Sequence, residues 1–357
     1  MNFEYTNGDL ILRSTNTASK FDKTLDSLWT LAYESNYFRY KIDTSLSSVK
    51  KICSGNVNIL ILPNNDRFSH RRKPQPFKSI NDQLSSESFN FNRVPKHEFL
   101  LNVSEKHATV SISLFYVQKS CSILINVSPF SYLHSLLVPE VEKCHNQFLG
   151  KDSFYSVIKC FLLSSNRYSC MGFNSLLAHA SVNHLHFHFW QSPEYLRAMS
   201  TDIKLKYENL FYYELVDHPV DNFVLELTDL TELDRFVNCL WIVISSCQHL
   251  QIAHNVFVAR SKSTGYVRVV VWPRCSVFET KNLSTIDSEP SFYVAVAELA
   301  GMMVVVSEDV ACTLNFDKVE SILRSERLPR STINALECKV FETLGIQQAS
   351  QEQINLF

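Results

Sequence analysis

No uninterrupted apolar run in this chain reaches the ~18 residues expected of a spanning helix. The longest candidate, Phe292 to Val306, is broken by Glu298 and Gly301. The start, Met1-Asn2-Phe3-Glu4-Tyr5, lacks the basic region and apolar stretch of a secretory signal. Charge of one sign is missing too. Lys and Arg number 34 against 36 Asp and Glu, a net charge of -2. No global field therefore draws the chain to nucleic acid or an anionic membrane, and any phosphate binding must be local. The 10 cysteines include no C-x-x-C pair. They read as reduced cytosolic thiols, mostly small buried hydrophobes, and a cysteine-built zinc site is not expected.

What is present is an ordinary globular composition, 45% hydrophobic and 20% charged over 357 residues. That length suffices for two cores or one large mixed body. The expectation is a cytoplasmic protein with neither a membrane nor a nucleic-acid partner.

Phe21, Leu25, Leu28, Trp29 and Ala32 fall at helical spacing and predict an early amphipathic helix. From about Asn64 to Arg93 the chain is polar and irregular, a long surface loop. Ile123 to Ile125 and Leu136 to Val138, separated by Ser128-Pro129, predict an antiparallel pair of strands. Asp152 is placed to cap a helix from Ser153 to about Leu163. A second passage repeats this grammar. Asp229 with Glu232 suggests a capping box opening a helix to about Cys247. Strand-like runs follow at His254 to Ala259 and Tyr266 to Trp272, joined by a turn with Gly265. Each half thus offers helix and hairpin material, as an ancient duplication would. The division expected is an N-terminal helical segment over 1–50, halves over 51–205 and 206–346, and a polar tail over 347–357.

Chemistry concentrates in His184-Leu185-His186-Phe187-His188-Phe189-Trp190. In a β-strand successive side chains point to opposite faces, so three imidazoles share one face and apolar residues the other. Imidazoles fill a core poorly, because each buried ring nitrogen needs a partner. Three readings are open. A neutral ring held in one tautomer can attack phosphorus, flanked by rings that donate to phosphate oxygens. Histidines two apart can share a metal ion. The row can also be a surface strand. Asn126-Val127-Ser128-Pro129, His134 to Pro139 and Ser181-Val182-Asn183 stand upstream, and no Asp or Glu adjoins the row to complete a mixed metal shell.

The pattern N-x-S-P-x4-H-x-L-L-V-P followed by S-V-x-H-φ-H-φ-H resembles the histidine-triad superfamily. Within it the chain resembles the GDP-D-glucose phosphorylases, relatives of the plant GDP-L-galactose phosphorylases. Matching stretches include Phe38-Arg39-Tyr40, Arg71 to Gln75, Phe89-Asn90-Phe91, Ile125 to Pro129 and Gly172 to Leu176. They continue through Ala180 to His188, Ala253-His254-Asn255, Trp272-Pro273-Arg274 and Ala297 to Gly301. The resemblance implies an α+β fold of two histidine-triad-like halves, antiparallel sheets flanked by helices, the first half catalytic. It implies conversion of GDP-glucose and inorganic phosphate to GDP and glucose 1-phosphate, through guanylylation of His186. His188 and Ser181 would hold phosphate oxygens, and His184 would orient His186 through its backbone carbonyl. His134 would line the pocket, and Asn126 would stand at the ribose. The scheme requires no metal or other cofactor.

The family usually carries Gly where Leu133 and Leu177 stand, and a smaller pair where Phe189-Trp190 stand. Should those backbones need positive φ, Leu is costly there. Two rivals share the site: hydrolysis of the same intermediate by water, and a nucleotide-sugar sensor of weakened activity. Elsewhere the readings stay divided. Arg71-Arg72-Lys73 is a phosphate or guanine contact or a solvated run. His254 is a nucleotide contact or a core histidine, and Arg274 a substrate contact or a surface ion pair. His145, His179, His218 and His249 have no constellation around them, and Phe211-Tyr212-Tyr213 reads as packing.

Overall fold

The Ser19 hydroxyl accepts from the Asp22 N–H at 3.0 Å, while Asp22 Oδ2 accepts from the Ser19 N–H at 3.2 Å. This reciprocal cap starts helix α1 (Lys20–Glu34), which buries Phe21, Leu25, Trp29 and Ala32. The computed structural model describes residues 1–357 except 44–48, 56, 73–74, 107–119, 208–211, 279–283, 287–288 and 345–357. The expected tail, Lys73 and Phe211 lie outside the described residues.

The first strands are β1 (Asn2–Tyr5), β2 (Lys50–Ser54), β3 (Val57–Pro63), β4 (Phe99–Glu105), β5 (Ser120–Ile125) and β6 (Ser135–Pro139). Then come β7 (Ser169–Asn174), β8 (Phe187–Gln191), β9 (Ile203–Tyr207), β10 (Tyr212–Leu215) and β11 (Phe223–Leu227). The last are β12 (Ala253–Arg260), β13 (Val267–Arg274), β14 (Ser284–Ile286), β15 (Glu289–Phe292) and β16 (Met302–Val305). Helices after α1 are α2 (Asn65–His70), α3 (Lys151–Leu162), α4 (Arg197–Ser200) and α5 (Leu233–His249). They end with α6 (Val296–Ala300), α7 (Glu308–Thr313), α8 (Phe316–Arg324) and α9 (Arg330–Thr343).

The described strands form a large sheet, β1-β4-β5-β6-β8-β7-β12-β13-β11-β10-β9, and a smaller one, β14-β15-β16-β3-β2. With β1 set aside, the large sheet reads the same outward from its centre. In each half three strands, a helix (α3 or α5) and a hairpin follow one another. The two copies meet antiparallel at β7 and β12, where Asn174 pairs with Asn255. The fold is mixed α+β, with one strand order repeated in its two halves. β2 and β3, from the first part of the chain, join β16 from the last.

One face of the large sheet carries α1, α3, α5 and α9, and Leu185, Phe187 and Phe189 lie in that core. The opposite face meets the small sheet: Trp190, Phe257 and Trp272 pack with Ile59 to Leu62 and Met302 to Val305. The alternation along β8 thus separates two cores.

The expected pairing of 123–125 with 136–138 is present, as are both strands of the later hairpin. Four expectations need correction. The histidine strand begins only at Phe187, leaving His184 and His186 on its approach. α3 starts from Gly150 with no side-chain cap, so Asp152 sits inside the first turn. Asp229 caps a 3-10 turn, accepting from the Thr231 N–H at 2.8 Å, and α5 starts after it. The expected loop contains α2, opened by Asn64 Oδ1 accepting from the Arg67 N–H at 2.9 Å. Of the cysteines, Cys121, Cys160, Cys170 and Cys247 are buried, whereas Cys53, Cys312 and Cys338 are exposed. Burial is therefore less general among them than expected. Among the described residues no helix is long and apolar enough to cross a membrane.

Candidate active site

Gln147 holds the approach to β8 where no strand partner does. Its Nε2 donates to the carbonyls of Asn174 at 2.9 Å and His186 at 3.1 Å, and its Oε1 accepts from the His186 N–H at 2.9 Å. A side chain thereby replaces a strand's ladder bonds and keeps the alternation going outside regular structure. His186 Nδ1 lies 2.7 Å from the His184 carbonyl. A carbonyl only accepts, so Nδ1 carries the proton and Nε2 the lone pair. The edge of Phe91 packs on the His186 ring at 5.2 Å.

His184 itself turns away. Its Nδ1 accepts from the Phe91 N–H at 3.0 Å, and burial lowers its pKa to about 4. It is a neutral support whose carbonyl, rather than its ring, serves the site.

His188 is set by a relay. His134 Nδ1 accepts from the Phe130 N–H at 3.1 Å, so the proton of this neutral ring is on Nε2. Burial, then the charges of His188 and Arg67, hold the His134 pKa well below the usual histidine range. His134 Nε2 lies 3.0 Å from His188 Nδ1 and donates to it. His188 therefore carries its own proton on Nε2, a donor suited to a phosphate oxygen. The Asn126 amide, 3.1 Å from His134 Nε2, packs beside that nitrogen, since its proton already goes to His188. Asn126 Oδ1 accepts from the Ser128 N–H at 3.0 Å.

One cavity contains Asn126, Ser181, His186 and His188 in its wall. His134 and His184 are not there. The expectation that His134 lines the pocket is corrected: it is fully buried one layer behind, because Nδ1 must reach the Phe130 N–H. The cavity has two unlike wings. Phe89, Phe91, Val94, Leu124, Leu136 and Val182 make an apolar one. Arg67, Arg71, His179, Tyr293 and Glu298 make a polar one. The Arg71 guanidinium lies 4.1 Å above the Tyr293 ring.

The last part of the chain thus closes a site whose histidines come from the first. Gly172, paired with His188, permits this, since an added Cβ would meet Val296 Cγ1 at 2.5 Å. Glu298 Oε2 accepts from the Ala295 N–H at 2.9 Å, and burial raises its pKa to about 7.

Arg71 and Arg72 both reach the pocket wall, but His254 and Arg274 do not. His254 is a core residue with Nδ1 3.0 Å from the Ile252 carbonyl. Arg274 is buried against Glu326 and the Val294 carbonyl, so its ion pair is not a surface one. Sequence reasoning passed over Gln147 and Arg67 and found no constellation around His179, which the fold brings into the cavity wall. His179 is held at φ 71° in the wall, and no local pattern marks it. Glu298 sits in the Ala297 to Gly301 block, which was a signal without an assigned role. Leu133 and Leu177 do occupy left-handed backbone, at φ 56° and 62°. Among the described residues no three His, Cys, Asp or Glu side chains converge as a metal site.

The model of the family described as GDPGP1-like, N-terminal domain, matches residues 20–190, and that of the GDPGP1-like, C-terminal domain, matches 196–347. GDP-D-glucose phosphorylase 1 of Danio rerio is 33% identical over 344 residues, covering 92% of this chain and 94% of its own. The Homo sapiens protein of that name is 30% identical over 323 residues, covering 88% and 81%. GDP-L-galactose phosphorylase 2 of Arabidopsis thaliana is 24% identical over 339 residues, covering 89% and 75%. Among solved structures, yeast Ap4A phosphorylase Apa2 with AMP superposes with a TM-score of 0.59 at 13% identity, over 87% of this chain and 97% of that one. That likeness speaks for the fold.

Proposed function

The chain belongs to the GDPGP1-like family, and from that premise we propose that it is a GDP-D-glucose phosphorylase working through a guanylylated His186. The observation that carries the reading is the 2.7 Å bond from His186 Nδ1 to the His184 carbonyl. It assigns the lone pair to Nε2, on a ring in the cavity wall.

Nε2 attacks the α-phosphorus of GDP-glucose. The bond from that phosphorus to the bridging oxygen breaks, and glucose 1-phosphate leaves with the electron pair. Inorganic phosphate then attacks the same phosphorus, the P–N bond breaks, and GDP departs. His188 Nε2–H and the Ser181 hydroxyl donate to non-bridging oxygens as charge builds on them. Asn126 addresses the ribose. The apolar wing takes the base, leaving the arginines of the polar wing for the hexosyl phosphate and the incoming phosphate. Ten cysteines without a disulfide support a reducing, cytosolic setting.

The test is GDP-glucose labelled at the α-phosphate. Without inorganic phosphate, label stays on the chain and glucose 1-phosphate appears in stoichiometric amount; phosphate then releases labelled GDP. His186→Asn keeps nucleotide binding and loses turnover by several orders of magnitude. Release of GMP independent of phosphate would identify a hydrolase instead, and a near-normal His186→Asn enzyme would remove the intermediate.

A further inference from the structure

The apolar wing ends in a carboxylate. Glu98 closes a 3-10 turn, Lys96–Glu98, that follows directly on Phe91 to Val94, and it lines the cavity with them. No described donor lies within hydrogen-bonding distance of its oxygens. Such a group stands out in a wall made mostly of apolar side chains, at the edge where the polar rim of a bound ring would face it. Burial raises its pKa, against the lowering effect of the His97, Arg72 and Arg39 charges. Arg72 is the other charged group of this wing. Its guanidinium lies 3.1 Å over the Phe89 ring, and it also lines the cavity.

We infer that Glu98 reads the guanine base, its carboxylate accepting from N1–H and the 2-amino group, with Arg72 beside it offering N–H donors to O6 or N7. This rests on the GDP-hexose reading and deepens it. The chemistry selects one base. Guanine presents two adjacent donors on the edge that a carboxylate can take as a pair, whereas adenine presents the acceptor N1 there and would meet the carboxylate lone pair against lone pair. Hypoxanthine keeps N1–H and lacks the amino group, so it should stand between them. Glu298, the other carboxylate of the cavity, is not a rival for this role. It is engaged with the Ala295 N–H at the opposite wing.

The experiment measures dissociation constants of GDP, IDP and ADP by calorimetry for the full chain, Glu98→Gln and Glu98→Ala. A paired contact to a base is expected to give a preference of GDP over ADP of about 5- to 150-fold, with IDP intermediate. In both variants GDP affinity should fall toward that of ADP, while ADP affinity stays within about threefold and the gap between GDP and IDP closes. An unchanged ratio of GDP to ADP affinity, or equal weakening of both, overturns the inference. Since Glu98 is only half-buried, both variants should keep the wild-type unfolding midpoint, and equal weakening then has no folding explanation. Turnover of GDP-glucose is assayed in parallel on the wild type. If no glucose 1-phosphate forms, the phosphorylase reading fails while the base preference remains readable from binding alone.

Discussion

His134 does not reach the cavity, yet it decides which nitrogen of His188 holds a proton. Take away its Nε2–H donor and His188 Nδ1 loses the bond that fixes the tautomer. We expect His134→Asn to lower kcat by roughly 10- to 100-fold with a smaller change in KM, since the donor matters most when charge builds on phosphate. Steady-state kinetics with saturating phosphate check this. A raised KM at unchanged kcat would make His134 a mere spacer. The residue scale also shows how Leu133 and Leu177 are tolerated. A left-handed Leu costs about 1–2 kcal/mol relative to glycine, but each side chain is buried, and burial returns about 1.5–3 kcal/mol. Leucine at these two positions is thus affordable, and the histidine rings nearby keep their bonds.

Among the elements, β7 and α6 are packed tightly together at Gly172. Gly172→Ala would place a methyl 2.5 Å from Val296 Cγ1 and 3.3 Å from Trp190. Such overpacking costs about 1–3 kcal/mol, and the segment from Ala295 to Glu298 would have to move away from His188. Urea unfolding should show that loss, and KM for GDP-glucose should rise with it. Lost stability at constant KM would separate this segment from substrate binding. Elements whose signals are local were legible: α1 from its apolar spacing and both hairpins from apolar runs around turn residues. The start of β8 was not, because Gln147, 39 residues before His186, supplies the bonds that hold it. Nor was α2, whose six residues carry too little periodicity to mark a helix.

At the scale of the molecule, buried titratable groups set the response to acid. Burial, as the first cause, lowers the pKa values of His184, His218 and His254 to about 4 and that of His134 well below its ordinary value. For a depressed histidine the stability is present above the unfolded pKa of ~6.5 and lost as pH falls toward the folded value. Glu298, raised to about 7, runs the other way: its contribution is whole below the unfolded value of ~4.5 and lost as pH rises through 7. Four rings oppose one carboxyl, so the net stability should drop by at least roughly 3 kcal/mol from pH 6.5 to 5. Denaturant midpoints across that range measure it, and a flat profile would contradict neutral burial of these rings. The same scale explains how the cavity is assembled. The large sheet continues through β7 and β12, and the small sheet ties β3 to β16, so residues 293–298 return to histidines more than 100 positions earlier.

The sequence alone determined the histidine row, its apolar reverse face, the Asn126 to Pro139 and Ser181 to His188 motifs, and the family to which they belong. These are short-range facts, carried by alternation and spacing. Tertiary structure alone decided which histidines touch the cavity, which nitrogen of each holds a proton, and that Arg67, Gln147, His179 and Glu298 join them. Hydrogen-bond partners from distant segments fix a tautomer, and burial fixes a charge state; neither quantity exists until the chain has folded.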